Sequence, residues 1–509
     1  MLSSLRVRVM VLVFVLFSTA IPCVWAGESS SHEAKLPHTL ALNIPLNSYI
    51  YGYLDKLAAL GYLEEMSTGT KPYTRLQAAR WVEKIAARAK EKGGLEAYAT
   101  DMLATLEREF QPERAELRGA PREMGIALKE WTASGAYYHG DSLKEIGTKA
   151  TWQPLNTNNG GYRLADGLSA YTQLTLAGSV NENLLVSVTP RVKVGDNTSA
   201  EIQNGYVKTK VNNMEIEVGK EDAWWGQGTR GGRSLTNNAE AVTSLKLSNM
   251  DAIDSRIFGP AYLSVRYGVL EQDRSDVKYP SLVGLRLDFV PSDTFTFGLS
   301  RMDIVGGQGR MLNRSSMKDF LFGKNADVGD DQWDTQAGMD FRWRLKNDTQ
   351  VYGEVYGEDA AGILPSELSE LAGVYFPRLS SSGDWDATLE WAHTRPCWYV
   401  HGVYTNGWTY KDNILGDAMG ADALRYYAGI NRYCPGIVYG VNLERVVQNV
   451  NGPVTQTVDS FWLSAQYRLA EALFVKAQAG VAGIKNANFE QGRSGHSYLA
   501  SVTVSKEFF

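Results

Sequence analysis

The sequence predicts an all-β transmembrane antiparallel barrel of about 18 strands with a small N-terminal α-helical domain, at roughly 20 residues per strand and connection. Three observations predict it. Apolar and polar side chains alternate with period two from about residue 124 onward. A secretory leader opens the chain, yet no later apolar run is long enough to span a bilayer as a helix. Short turns also alternate with long polar connections, as between the two ends of an outer-membrane barrel. At 509 residues the chain exceeds what one soluble core holds, whereas a barrel grows by adding strands. Gly 49, Tyr 26 and Trp 13 with only 21% charged residues suit strands, and a net charge of -6 gives no basic excess for nucleic acid.

Residues 1–26 read as the leader. Arg6 and Arg8 form its basic start, 9–17 its apolar centre, and Val24-Trp25-Ala26 its small-residue cleavage site. Cys23 follows Pro22 with no lipobox around it, so lipidation is not expected. Cleavage after Ala26 leaves Cys397 and Cys434, which are either one bridge or two free thiols.

Residues 27–118 read as a periplasmic helical domain. Ser48 caps a helix whose Ile50, Leu54, Leu57 and Leu60 share one face, and Gly61 lies near its end. After Lys71-Pro72-Tyr73, Thr74 caps a second helix carrying Leu76, Ala79, Ile85 and Ala86 as far as Gly93-Gly94. A third runs from Leu95 through Leu103 and Leu106 to Phe110, where Gln111-Pro112 interrupts it. So thin a core is expected to dock onto something larger.

Residues 119–509 read as the outer-membrane barrel. Leu184, Val186 and Val188 alternate with Ser187, Thr189 and Arg191, and Leu285, Leu287 and Phe289 with Arg286 and Asp288. Phe341, Trp343 and Leu345 alternate with Asp340, Arg342 and Arg344, and Phe461, Leu463 and Tyr467 with Ser464, Gln466 and Arg468. Full charges on the polar face suit a wet lumen, and aromatics near strand ends suit interfacial girdles. The long connections are expected over 302–331 and 359–382, and Arg342, Arg344 and Glu354 are expected to form an ion-pair ladder across one hairpin. Phe508-Phe509 supplies the terminal aromatic that barrel-insertion machinery reads, although Phe509 falls on the parity of Ser501 and Thr503.

Motifs for catalysis fail on context. Gly140-Asp141-Ser142-Leu143 begins like an esterase motif, but no Asp-x-x-His follows to activate the serine. Residues 226–231 fit GxGxxG without opening a helix. The histidines are scattered, so neither a metal nor another cofactor is expected, and no enzyme.

The informative stretch runs from Gly219 to Ala239. It carries Trp224-Trp225-Gly226 and then Asn237-Asn238-Ala239. With Arg342-Trp343-Arg344-Leu345, Tyr352-Gly353-Glu354, Leu364-Pro365, Tyr404-Thr405-Asn406-Gly407 and the run from Ile414 to Asp422, it resembles the Wzi family of outer-membrane capsule-assembly proteins over most of 120–509. The resemblance implies an 18-stranded barrel, closed by helices on the periplasmic side, that acts as a lectin and retains capsular polysaccharide at the cell surface. Leu57, Gly61, Pro72 and Thr74-Arg75 are also similar to an S-layer-homology-like helix–loop–helix, so peptidoglycan contact stands beside a plain plug.

The residue types agree with sugar binding, since aromatic faces stack on pyranose rings while Arg, Asp and Asn bond to hydroxyls. Trp224, Trp225, Arg230, Asn237, Asn238, Trp408, Tyr410, Asp417 and Asp422 are the candidates. The alternative sets the tryptophans in the membrane girdle and the asparagines at turn caps. The expected partners are surface polysaccharide, outer-membrane lipid and the insertion machinery. The competing function is a diffusion porin with a periplasmic cell-wall-anchoring domain, and it differs in needing an open lumen.

Overall fold

A computed structural model describes residues 38–509 apart from 65, 311–319, 321–332, 362–363 and 509. The leader expected over 1–26, with Cys23, and most of the connection expected over 302–331 lie outside the described residues, as does Phe509.

Period-two alternation is resolved as a closed barrel of 18 antiparallel wall strands, each bonded to its chain neighbour. The first, Gly125–His139, pairs with the last, Ser494–Glu507, and closes the cylinder. No edge is left unpaired, as a bilayer demands. Outward positions are apolar: Val218, Leu389, Val441, Leu463 and Val502 form an exposed belt that only lipid can cover without penalty. Trp343, Trp385 and Tyr467 stand outward near the short turns, and Tyr137, Tyr267 and Tyr498 near the long loops, making two aromatic girdles. Phe508 is partly exposed at the short-turn rim, and Cys397 and Cys434 are not bridged to each other.

The connection expected over 359–382 is corrected. Leu364–Phe376 is a wall strand paired with Gln350–Ala361, and its Ser369 is buried on the lumen side among the polar residues that made the stretch read as a loop. In a wide barrel a polar stretch and a lumen-facing strand look alike in sequence.

Among the described residues four helices precede the wall: α1 (Tyr49–Ala59), α2 (Arg75–Glu91), α3 (Ala97–Glu109) and α4 (Gln111–Leu117). The Ser48 hydroxyl accepts from the Ile50 amide and the Thr74 hydroxyl from the Gln77 amide, which satisfies amides that a helix start leaves without partners. Ile50, Leu54 and Leu57 pack on Val82, Ile85, Leu103 and Leu106. The bundle docks on the short-turn rim. Tyr49 stacks on Phe474 at 3.9 Å between ring centres, the Asp101 carboxylate accepts from the Gly436 amide, and the buried Lys56 ammonium donates to the Pro377 carbonyl and pairs with Asp386. The thin core of the helices is thus completed by the barrel itself.

Candidate functional site

Three long-loop segments, 140–166, 221–242 and 395–422, turn back into the lumen and pack together as a plug. Its centre is apolar. Trp225, Leu235, Trp398, Tyr399, Tyr404, Trp408 and Ile414 form one buried cluster with Leu282, Met302 and Tyr356 of the wall. The plug therefore carries a hydrophobic core of its own inside a polar-walled cylinder, and burial of that core favours the folded-in loops.

The segment 221–242 is held from both sides of the membrane. Thr70–Lys71, on the loop between α1 and α2, pairs antiparallel with Trp224–Trp225, Thr70 opposite Trp225. The Gly226 amide donates to the Gly69 carbonyl at 2.8 Å, and the Trp225 amide to the Leu235 carbonyl at 3.0 Å. The Trp225 ring lies where a side chain at Gly284 would stand, 2.7 Å from its ideal Cβ. One wall position is thus left bare for the indole.

The glycine-rich run 226–231 wraps carboxylates of its own wall. Glu354 accepts from the amides of Gln227, Gly228 and Arg233 at 2.7, 2.8 and 3.0 Å. Glu390 accepts from the amides of Thr229 and Arg230. Gly226 has φ +125 and approaches Glu354 so closely that a Cβ would lie 2.4 Å from the carboxylate oxygen. The ladder expected of Arg342, Arg344 and Glu354 is thereby corrected. Arg342 donates to Gln227 and Gln350, Arg344 points to Asp348, and Glu354 bonds to the plug instead of to an arginine across the hairpin. Alternation placed these groups in the lumen but could not show that another loop occupies it.

Charge locks the centre. The Asp417 carboxylate takes ion pairs from both Arg233 and Arg425, and Arg425 also reaches Glu390 at 3.0 Å. Arg233 and Asp417 have no exposed side-chain surface. Burial works to raise the pKa of Asp417, but the Arg425 and Arg233 guanidiniums outweigh it and hold the carboxyl below the usual range. A depressed carboxyl stabilises the folded plug above the ordinary carboxylate pKa of about 4, and that contribution is lost as pH falls through the lower folded value. Ion conductance in planar bilayers is therefore expected to rise as pH falls below about 4. Asp417→Asn should conduct at neutral pH and lose much of this dependence; identical titrations of the two proteins would rule out Asp417 as the latch.

The nine residues singled out by sequence come to the plug or its base, in unequal roles. Trp225 and Trp408 are 2% and 0% exposed, and the Trp408 indole donates to the Ser234 carbonyl. They sit neither in the girdle nor on a free sugar platform, because plug and wall take up both ring faces. Trp224 is opposite Lys71 in the seam with the helical domain. Arg230 pairs with Glu444 and lies over the Trp462 ring at 4.7 Å. Asn237 donates to the Asn158 carbonyl and Asn238 to the Ile414 carbonyl, which stitch the three segments together. Asp422 accepts from Asn451 at the base of the third segment. Of the nine, Tyr410 is partly open beside an exposed cation: it pairs with Asn413 in a hairpin, and the Lys411 ammonium lies over its ring, 5.4 Å from the centroid, while pairing with Glu240. Sequence reasoning missed Arg233, Arg425, Glu390, Tyr399 and the contact of Gly69 to Lys71 with the second plug segment. For Arg425 the nearby Asp417 and Asp422 were a usable signal; a pairing across 150-odd intervening residues had none.

Below the plug, beside the strands Gly125–His139, Gly167–Asn181 and Ser494–Glu507, the lumen widens into a chamber of about 720 Å³ with a mixed polar and apolar lining. Ser142 lies exposed at the start of the first plug segment.

The sequence profile of the family "Capsule assembly protein Wzi" matches residues 138–498. An uncharacterized 55.8 kDa protein of the cps region of Klebsiella pneumoniae is 25% identical over 264 residues, 47% of this chain and 50% of its own length. The chain thus spans about half of that curated relative. The solved structure of Wzi from Escherichia coli, an outer membrane protein involved in group 1 capsule assembly and described as a carbohydrate-binding β-barrel, superposes with a TM-score of 0.71 at 19% identity, over 92% of this chain and 100% of that one. At that identity the match shows the shared fold.

Proposed function

The chain belongs to the Wzi family of capsule assembly proteins, and from that premise we propose that it binds surface polysaccharide on the outward face of its plug and helps to assemble or retain it there. The barrel is an outer-membrane barrel with its helices on the periplasmic side. The observation that carries the reading is the plug: an apolar core, backbone-wrapped carboxylates and buried ion pairs fix three loops in one arrangement. A diffusion porin needs a continuous wet path, and this lumen is filled across its middle. A fixed loop surface suits recognition, because the ordering cost is met in folding and not again on binding. The carbohydrate-binding description of the Escherichia coli protein supports the same reading.

The corner formed by Tyr410, Lys411 and Glu240 offers an aromatic ring beside charged hydrogen-bonding groups, the combination that sugar sites use. Tyr410→Ala with Lys411→Ala is expected to lower retained surface polymer while heat-modifiable migration on gels stays normal. One stacked ring contributes on the order of 1 kcal/mol, and repetition along a polymer multiplies the loss by avidity. Normal retention in this variant would remove the corner from the site; normal retention in cells lacking the protein would overturn the function.

A further inference from the structure

The lumen is divided chemically. Strands on one side carry Arg286, Asp340, Glu354 and Arg425, and the plug fills that side. On the other side the wall presents hydroxyls and amides, Thr132, Gln173, Thr189, Ser464, Gln478 and Thr503 among them, around the 720 Å³ chamber. Such a volume lies within the range of small-molecule sites. Charges of both signs line it, Arg75, Arg191 and Lys476 beside Glu109, Glu130 and Glu507. Arg191 donates to Gln173 at 2.8 Å and is covered by the Tyr171 ring at 4.4 Å, Lys476 donates to the Asn47 carbonyl, and the Glu130 carboxylate accepts from Thr132. With neither sign in excess, the chamber does not select an ionic ligand.

Two tyrosines break the hydroxyl lining. Tyr171 points inward from its strand yet keeps part of its surface open, and Tyr162 meets it edge-on at 5.3 Å between centres. Hydroxyls and amides both donate and accept, as sugar hydroxyls do, and aromatic edges and faces suit sugar C–H groups. Above, the chamber is roofed by plug residues such as Asn158 and Asn237; below, it is bounded by Gly52 and Pro112 of the helical bundle and by Phe508 of the barrel rim.

We propose that this chamber is a binding site for a short neutral oligosaccharide, entered from the periplasm and separate from the outward face. It rests on the carbohydrate reading above but not on the same residues. The test uses the full-length protein in detergent with maltotriose, cellotriose and tri-N-acetylchitotriose as probes, followed by saturation-transfer NMR. At least one is expected to bind, and Thr189→Trp or Thr503→Trp, which fill the chamber, should weaken it tenfold or more while heat-modifiable migration is kept. Absence of binding by all three sugars, or equal binding by both filled variants, overturns the chamber site. Loss of polymer retention in cells, measured separately, bears on the outward face alone, because a long polymer cannot enter the chamber.

Discussion

Replacing Asp417 with alanine is expected to unseat the plug and turn a sealed barrel into a conducting one. Arg233 and Arg425 converge on this carboxylate from the second plug segment and from the wall, and neither has appreciable exposed surface. Removing the anion leaves two buried cations facing each other, and breaking a buried pair in this way costs about 3–5 kcal/mol. That cost falls on the contact joining the second and third segments to the wall, so segments 221–242 and 395–422 should swing outward together. Single-channel recording should show stable conductance where the parent shows almost none, and external protease should cut both segments in intact cells. Wall strands do not depend on Asp417, so insertion and heat-modifiable migration should persist. Conductance indistinguishable from the parent would show that the apolar core alone holds the plug.

Removing residues 27–118 is the second large change. The truncated barrel should still insert, because the first wall strand begins at Gly125 and closes on the last without help from the helices. It loses the strand pairing of Thr70–Lys71 with Trp224–Trp225 and the hydrogen bond from Gly226 to Gly69, but keeps the grip of Glu354, Glu390 and Asp417 on the plug. Conductance should therefore rise less than in Asp417→Ala, and the two changes combined should exceed either alone. A truncated form that conducts like an open porin would mean that the helices seal the lumen by themselves, whereas one that fails to insert would make the bundle part of barrel assembly.

The barrel was legible in sequence because its signal is local. Period two over Leu184–Val194 or Trp333–Arg344 needs only neighbours in the chain, and the caps at Ser48 and Thr74 need only the next turn. The resemblance located the informative segment as well, since Trp224, Trp225, Asn237 and Asn238 all lie in the plug or its seam. Their roles were not legible. Trp225 reads alike as girdle, sugar platform or core, and only the bare wall at Gly284 decides among them. Leu364–Phe376 failed for a related reason: polarity facing a crowded lumen is indistinguishable from polarity facing water until the occupant is known.

The seam between Thr70–Lys71 and Trp224–Trp225 also sets an order in time. Its two halves reach one another from opposite faces of the membrane, and they are far apart in the chain, so neither can find the other before a cylinder exists to bring them together. Wall closure must come first and the seam afterwards. A newly inserted molecule should pass through a stage in which it already resists unfolding on gels but still leaks ions, and sealing should lag insertion as a distinct kinetic phase.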